Sequence, residues 1–294
     1  MSADVALITG CSTGIGRAAA LRLARSGCRV FATMRSPERA AGPLLDIARA
    51  EKLQLSVLPL DVTKTNSVED AVARALADAG RIDVLVNNAG IGDLGAIETL
   101  SDDLMRSMFE TNVFGAIRTA RAVLPGMRAR GSGTIVNVSS VAGLLCGAGN
   151  GLYAGSKHAL EAISESLAIE VMQFGIRVAI IEPGLVDTPI IDKATDALGT
   201  DDTAPYANVA RRMGGIYQGG RTGNPDPDIV AAAIEHPITT GQPKLRYLVG
   251  IDAQPFVDGR SRMTDEEYLQ SFGRPQSDDE WFAEFTRRFP MPGA

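Results

Sequence analysis

Two residues in the second half of the chain have the types and the spacing needed for proton transfer. Tyr153 and Lys157 stand four positions apart in a stretch, 151–174, that we predict to be helical, so both side chains lie on one face. A phenol has a pKa of about 10, and an ammonium about 4 Å away, worth on the order of 4 kcal/mol, lowers it by up to about 3 units. Such a pair can exchange a proton near neutral pH.

An ordinary exposed pair of side chains is the alternative interpretation. Five Tyr and five Lys among 294 residues produce this spacing by chance about 0.1 times. The pair also directly follows a predicted strand that ends at Ser139-Ser140. This position beside the end of a strand favours chemistry over chance.

The elements that must position this pair alternate regularly along the chain. Short apolar runs typical of buried strands are separated by longer stretches of helix-forming residues. This order predicts an α/β fold, with a doubly wound parallel sheet of seven strands and right-handed crossovers. We place the strands near 4–9, 29–34, 54–60, 83–87, 133–139, 176–182 and 245–249, and the helices near 14–26, 37–50, 66–79, 101–129, 151–174 and 226–235.

The carboxyl ends of these strands carry most of the other signals. In a doubly wound sheet, ligands bind in the crevice beyond those ends. The segments found there are Gly10–Gly16, Met34–Ser36, Asp61-Val62, Asn87–Gly90, Ser139-Ser140 and Pro183-Gly184.

The first of these segments is a glycine-rich turn between an apolar strand and a run of strong helix formers. Its spacing, Gly10-x3-Gly14-x-Gly16, differs from the more familiar Gly-x-Gly-x-x-Gly. Missing Cβ atoms let a backbone approach a pyrophosphate, and N–H groups at the helix start point at it. A glycine turn with no ligand is the alternative.

Together the glycine pattern, Asn87–Gly90, Asn112, Ser140, Tyr153-x3-Lys157 and Pro183-Gly184 resemble the short-chain dehydrogenase/reductase family, over roughly residues 4–250. The resemblance implies a Rossmann dinucleotide-binding and catalytic domain, 1–250, followed by a C-terminal extension, 251–294. It implies that Tyr153 is the general acid or base and that Lys157 also holds the nicotinamide ribose. Ser140 then binds the substrate oxygen, rather than Ser139, which points to the opposite face.

The resemblance gives Asn112 a catalytic role at a backbone kink, where a water links Lys157 to solvent. An amide satisfied at a helix interface is the alternative. The Asn87-Asn88 segment has a mainly structural role in this interpretation. The implied cofactor-binding residues are Gly10, Ser12, Thr13, Gly14, Ile15, Gly16, Arg35, Asp61, Val62, Asn88, Ala89, Gly90, Tyr153, Lys157, Pro183, Gly184, Val186 and Thr188.

The end of the second strand predicts which dinucleotide is used. An acid commonly stands there in sites that bind NAD, but this chain has Met34 followed by Arg35. An arginine fork suits a 2′-phosphate, so NADP(H) is favoured over NAD(H). A solvated loop arginine is the alternative.

The resemblance places a substrate lid at about 185–223. An apolar inner face predicts an apolar substrate, and the segment 31–35 is similar to that of members acting on steroids and retinoids. The apolar lid residues are Ile190, Ile191, Leu198, Tyr206, Met213, Ile216 and Tyr217, with Leu144, Leu145 and Cys146 expected in the same pocket.

The C-terminal tail carries aromatic residues at helical spacing. We expect them to cap the chain's own core or a sister subunit, because the preceding segment 277–280 is acidic where a membrane-binding helix would be basic. The residues are Trp281, Phe282, Phe285 and Phe289.

Composition excludes several other classes of protein. The net charge of −6 argues against a nucleic-acid partner, and the sequence shows neither a signal peptide nor a membrane span. Three widely spaced cysteines predict no metal site and fit the cytoplasm. As in the family, helices 101–129 and 151–174 are expected to form a homodimer or homotetramer.

The sequence therefore predicts an NADP(H)-dependent oxidoreductase that interconverts an apolar ketone or aldehyde and its alcohol. A 3-oxoacyl-carrier-protein reductase is one alternative, although about 45 residues follow Val249 here and those enzymes end sooner. A non-catalytic NADP(H)-binding regulator is another. The intact set Asn112, Ser140, Tyr153 and Lys157 favours catalysis.

Overall fold

A computed structural model describes residues 4–190, 204–221 (the backbone alone for 218–221) and 226–291. Within these ranges, seven parallel strands form one sheet in the order β3-β2-β1-β4-β5-β6-β7. The predicted doubly wound parallel sheet is confirmed. The strands are β1 Val5–Ile8, β2 Arg29–Met34, β3 Leu55–Pro59, β4 Val84–Asn87, β5 Gly133–Val138, β6 Ile176–Pro183 and β7 Arg246–Val249.

Helices cover both faces of the sheet, and a further group follows β7. The central strands β1 and β4 are buried along their whole length, which explains why their residues are almost all apolar. The helices in the described ranges are α1 Gly14–Arg25, α2 Pro37–Ala40, α3 Gly42–Ala50, α4 Thr65–Ala79, α5 Asp102–Phe109, α6 Gly115–Arg130, α7 Gly151–Met172, α8 Ala207–Arg221, α9 Pro227–Thr239, α10 Ala253–Ser261, α11 Asp265–Gly273 and α12 Asp278–Arg288.

Two predicted helices are interrupted. The prediction of a single helix over 37–50 is wrong, because α2 ends before Ala41 and α3 begins at Gly42 with Pro43 in its first turn. A proline has no N–H to continue the preceding helix, but its fixed φ suits a helix start. The helix predicted over 101–129 contains a π-helical turn, Glu110–Phe114, between α5 and α6, in which the Gly115 N–H donates to the Glu110 carbonyl.

The tail folds back onto the chain's own core. Helices α11 and α12 begin with capping boxes, Thr264 with Glu267 and Ser277 with Glu280. The acidic run at 277–280 therefore belongs to a helix start, where the dipole favours carboxylates. Tail side chains pack with Val141 and Leu145 beside β5. None of the helices in the described ranges is long and apolar enough to span a membrane.

Candidate active site

A cleft of about 440 Å³ opens at the carboxyl ends of the strands. Seventeen of the eighteen residues predicted to bind the cofactor line it, Gly16 being the exception. Ser140 also lines it, whereas Asn112 does not. The structure therefore brings these segments together at one cleft and places two of the residues, Gly16 and Asn112, behind its wall.

The glycine loop at one end of the cleft has room for a pyrophosphate. Gly10 and Gly14 have φ values of +73° and +55°, which favour glycine. A Cβ on Gly10 would lie 2.8 Å from the Ala89 Cα. Helix α1 starts after Thr13 with no side-chain cap and no acidic residue in its first turn. Its first N–H groups therefore suit an anion, and the residues present fit a dinucleotide phosphate.

Gly16 has a packing function instead. A Cβ at this position would stand 2.3 Å from the Gly10 carbonyl oxygen and 2.4 Å from Asn88 Nδ2. Only a residue without a side chain lets α1 come this close to the loop and to the end of β4.

Thr9 and Asn88 hold the glycine loop in place. The Asn88 amide donates to the carbonyls of Thr9 (2.9 Å) and Gly10 (3.1 Å). Thr9 Oγ1 accepts from the N–H groups of Asn88 and Ala89, each at 3.0 Å. The structural role expected for the Asn88 segment agrees with these bonds. Thr9 was missed by sequence reasoning, although a threonine ending an apolar strand is a usable signal.

The rim of the cleft beside β2 and β3 carries the residues relevant to dinucleotide choice. Met34 is buried in the wall, and Arg35 is exposed at the rim. Burial raises the pKa of Asp61, but hydrogen bonds from Thr63 and the charges of Lys64 and Arg35 lower it below its ordinary value. Asp61 is therefore ionised, with its Oδ1 accepting from the Thr63 hydroxyl at 2.7 Å.

Ser140 and Tyr153 meet on the floor of the cleft. Ser140 Oγ accepts from the Ala142 N–H (3.2 Å) and lies 3.3 Å from the Pro183 carbonyl oxygen, to which it donates. Burial raises the pKa of Tyr153 to about 12, and hydrogen bonding with Ser140 opposes that rise. The phenol is therefore neutral at physiological pH.

Lys157 lies behind this pair and is almost fully buried. Its Nζ donates to the Val138 carbonyl at 2.8 Å and stands 5.7 Å from the centre of the Tyr153 ring. Burial lowers the pKa of Lys157 to about 8, although the negative charge of Glu161 opposes this decrease. The prediction that Lys157 brings the Tyr153 pKa down toward neutrality is wrong for this structure. Burial of the phenol dominates, and the ammonium is directed at a backbone carbonyl.

Asn112 sits inside the π-helical turn with its side chain satisfied. Its Oδ1 accepts from the Ile91 N–H (2.8 Å), and its Nδ2 donates to the Ile91 carbonyl (2.9 Å) and to Ser156 Oγ (3.0 Å). Ser156 Oγ donates in turn to the Tyr153 carbonyl at 2.7 Å. The amide thus ties the loop after β4 to the helix that carries Tyr153 and Lys157. The water link to Lys157 stays a prediction.

The far end of the cleft is apolar and is formed largely by α8 and the tail. Of the apolar residues expected in the lid, four line the cleft: Ile190, Met213, Ile216 and Tyr217. Tyr206 does not line it, and Ile191 and Leu198 lie outside the described residues. Leu145 lines it, but Leu144 and the exposed Cys146 do not. The aromatic wall consists of Phe256, Tyr268, Phe272, Trp281, Phe285 and Phe289.

The sequence predicted none of this wall to line the cleft, since Trp281, Phe285 and Phe289 were expected to cap the chain's own core or a sister subunit. Phe256, Tyr268 and Phe272 were missed, since nothing in their spacing links them to the aromatic helix that follows. Phe272 stacks on Phe289 with ring centres 5.7 Å apart, and Phe256 meets Phe289 edge-on at 5.6 Å. The aromatic count of the tail is the signal that could have suggested them.

Helix α8 and the C-terminal tail pack against each other over the cleft. The Arg212 guanidinium donates to Asp278 Oδ1 (2.8 Å) and to the Gln276 carbonyl (2.7 Å), and it lies 5.5 Å from the centre of the Trp281 ring. A Cβ on Gly215 would stand 2.4 Å from the Phe282 ring. The apolar end of the site is therefore built jointly by two segments distant in sequence.

Comparison with known proteins agrees with this site. A family model described as short chain dehydrogenase matches residues 4–199. Retinol dehydrogenase 8 of Homo sapiens is 46% identical over 268 residues, covering 85% of this chain and 83% of that protein. The 17-beta-hydroxysteroid dehydrogenase type 1 of Homo sapiens is 37% identical over 275 residues, covering 90% and 82%. The chain belongs to the short-chain dehydrogenase/reductase family, oxidoreductases of alcohol and carbonyl groups.

Solved structures are similar along most of the chain. A short-chain dehydrogenase from Streptomyces avermitilis is 38% identical with a TM-score of 0.78, covering 92% of this chain and 96% of that one. A family member from Burkholderia phymatum in complex with NAD is 27% identical (TM-score 0.78, coverage 94% and 98%). A metagenomic short-chain oxidoreductase in complex with NADP is 26% identical (TM-score 0.67, coverage 85% and 97%). Similar proteins thus bind either dinucleotide.

Proposed function

We propose that this protein interconverts an apolar ketone or aldehyde and its alcohol, with NADP(H) as the cofactor. The observation that carries the proposal is the meeting of the Ser140 and Tyr153 side chains on the floor of a cleft with two unlike ends. One end is a glycine loop suited to phosphates, and the other is an aromatic wall suited to an apolar molecule. A reacting carbonyl would lie between them.

The dinucleotide would be held by the glycine loop, by Asp61 and Val62 at the adenine side and by Lys157 at the nicotinamide ribose. Arg35, exposed at the rim, would pair with a 2′-phosphate, and buried Met34 leaves no carboxylate there to repel it. When bound, the nicotinamide supplies or accepts the hydride.

The chain's own contribution is to hold and move one proton. A Tyr153 phenol whose pKa is raised to about 12 stays protonated at neutral pH, so it can donate to an oxygen that becomes negative as a carbonyl is reduced. The Ser140 hydroxyl would donate to the same oxygen and stabilise the developing charge. The protonated phenol is the form that carbonyl reduction requires, whereas alcohol oxidation requires the phenol to have lost its proton first.

Titration with NADPH and with NADH, followed by nicotinamide fluorescence, tests the cofactor. A charge-assisted hydrogen bond of roughly 1.5–3 kcal/mol predicts about 10- to 100-fold tighter NADPH binding, which Arg35→Ala should remove without changing the Kd for NADH. Arg39→Ala is the matched control, because Arg39 is a highly exposed arginine on the neighbouring helix α2. Equal affinities in the unsubstituted protein would discard the Arg35 argument.

A screen of carbonyl compounds with the preferred dinucleotide tests the substrate. The relatives named for retinol and for a 17-beta-hydroxysteroid support large apolar compounds as the first choice. Faster turnover of a 3-oxoacyl thioester would favour the carrier-protein reductase alternative. Tight dinucleotide binding with no turnover of any carbonyl or alcohol would favour the regulator.

The family resemblance also supports a homo-oligomer formed through α5, α6 and α7. Large apolar side chains are exposed on or beside these helices, Met172 at 73% and Ile169 at 71% among them. Light scattering on the purified chain is expected to give a dimer or a tetramer. A monomer at micromolar concentration would refute the proposal.

A further inference from the structure

Two buried carboxyls, one of them a single helical turn from Lys157, do not line the cleft. Glu161 lies one helical turn after Lys157 on α7 and is 5% exposed, and Glu182 on β6 is 1% exposed. A buried carboxylate is costly unless it is paired, so two of them side by side call for an explanation. The catalytic roles assigned above use neither of them.

A single arginine joins the two carboxyls. Arg246 Nε on β7 is 3.1 Å from Glu161 Oε2 and 3.4 Å from Glu182 Oε1. Its Nη2 is 2.7 Å from Oε2 of Glu165, whose side chain is 53% exposed. The two cations, Lys157 and Arg246, thus face two buried carboxyls and one exposed carboxylate.

Several buried oxygens in this region have no hydrogen-bond partner. Among the described residues, Glu161 Oε1, Glu182 Oε1 and Ser139 Oγ are buried with no hydrogen-bond partner, although Glu182 Oε1 keeps its ion-pair contact with Arg246. Ser139 Oγ and Glu161 Oε1 lie 2.8 Å and 3.2 Å from the point where a Cβ of Gly143 would stand, so they border one small space. Both carboxyls contact the same Arg246 Nε, and the Glu161 charge raises the pKa of Glu182, so a proton on Glu182 would let them lie side by side.

We propose that Glu161 is a positioning residue whose buried negative charge keeps Lys157 protonated, while Glu182 holds the proton that lets the two carboxyls lie together. Lys157 is faced by the Val138 carbonyl from β5, by Tyr153 and Glu161 from its own helix, and by Glu182 and Arg246 behind Glu161. Glu161 is the negative charge that acts directly on Lys157. Only one part of this inference rests on the proposed function, namely the effect that losing the Lys157 charge would have on cofactor binding.

The direction of each pKa shift agrees with this arrangement. Burial lowers the pKa of Lys157 to about 8 even with Glu161 opposing, so removal of the Glu161 charge must lower it further. Burial and the Glu161 charge raise the pKa of Glu182 to about 7. Glu182 is thus protonated below that pH, and ionises above it.

NMR of the full-length chain labelled with ¹³C at the lysine Cε atoms measures the Lys157 pKa directly. The chain has five lysines, and the Lys157 signal is identified by its loss in Lys157→Met. We expect Glu161→Gln to lower the Lys157 pKa by about one unit or more, a tenfold change in its protonation equilibrium. Glu165→Gln is the matched control, since it removes the exposed partner of the same arginine and should leave the Lys157 pKa unchanged.

The same variants have a second readout in cofactor affinity. If Lys157 loses its proton at lower pH in Glu161→Gln, NADPH binding followed by fluorescence should weaken at correspondingly lower pH. An unchanged Lys157 pKa in folded Glu161→Gln, or an equal shift in Glu165→Gln, would overturn the role of Glu161. Neither measurement needs turnover, so failure of the proposed function would be seen separately.

The variant Glu182→Gln tests whether Glu182 holds the proton, and it keeps the proposal testable if Glu161→Gln does not fold. A carboxyl whose pKa is raised on folding binds more protons in the folded state, so stability falls as pH rises from about 4.5 to about 7. The Glu182→Gln variant has no carboxyl at this position, so it does not lose stability in this way as the pH rises. Its Tm relative to the unsubstituted protein should therefore increase over that window and level off above it. A pH-independent Tm difference would contradict the proposal.

Discussion

Tyr153→Phe is expected to abolish turnover while the protein stays folded and binds its cofactor. The substitution removes the hydroxyl that would donate the proton and keeps the ring that fills the floor of the cleft. Positioned general acids contribute about 10²- to 10⁴-fold, so kcat should fall by that order. The measurement is steady-state NADPH oxidation with the best carbonyl from the screen, alongside a fluorescence titration in which the NADPH Kd changes by less than about threefold.

Tyr247→Phe is the matched control for this loss of a phenol. The Tyr247 hydroxyl accepts from the Lys244 N–H at 2.8 Å, and Tyr247 is not among the cleft residues. The control should keep kcat near that of the unsubstituted protein. Retention of more than about a tenth of kcat in Tyr153→Phe would show that another group donates the proton, because even a weakly placed general acid contributes about 10²-fold.

Much of the fold could be predicted because its signals are local. The central strands β1 and β4 are apolar runs buried along their whole length, and binding sites in such sheets lie at the carboxyl ends of the strands. That rule brought Ser140 and Tyr153 to the cleft and placed the glycine loop at its other end. The break at Ala41 was also signalled locally by Pro43, which the coarse pattern overlooked.

The features that could not be predicted depend on contacts between distant segments. The Tyr153 pKa was mispredicted because a charge at helical spacing can be counted from sequence, whereas the burial of the phenol and the direction of the Lys157 ammonium cannot. Phe272 reaches the cleft only because α11 packs beside α12. Glu161 and Glu182 are 21 positions apart and meet only when α7 lies on β6. Gly16 belongs to the glycine motif, but its role is to let neighbouring elements pack closely.

The methyl group added by Gly16→Ala should damage both stability and cofactor binding. It would stand 2.3 Å from the Gly10 carbonyl oxygen, a backbone atom that can move only with the whole glycine loop. Overpacking of this kind costs about 1–3 kcal/mol of unfolding free energy. Because the displaced loop is the one suited to the pyrophosphate, NADPH affinity should fall by about tenfold or more. Denaturant unfolding and fluorescence titration measure the two effects.

Gly155→Ala adds the same methyl group in a place where it meets no other element. Gly155 lies in α7 between Tyr153 and Lys157 and is exposed, and a Cβ on it would have no atom of another described element within 4 Å. Alanine there should stabilise the helix by about 0.5–1 kcal/mol and leave NADPH binding unchanged. If Gly16→Ala lowers the unfolding free energy and Gly155→Ala raises it, the need for glycine at position 16 comes from the contact between α1, the loop and β4. A shared loss would point instead to a general intolerance of α-helical substitutions near the cleft.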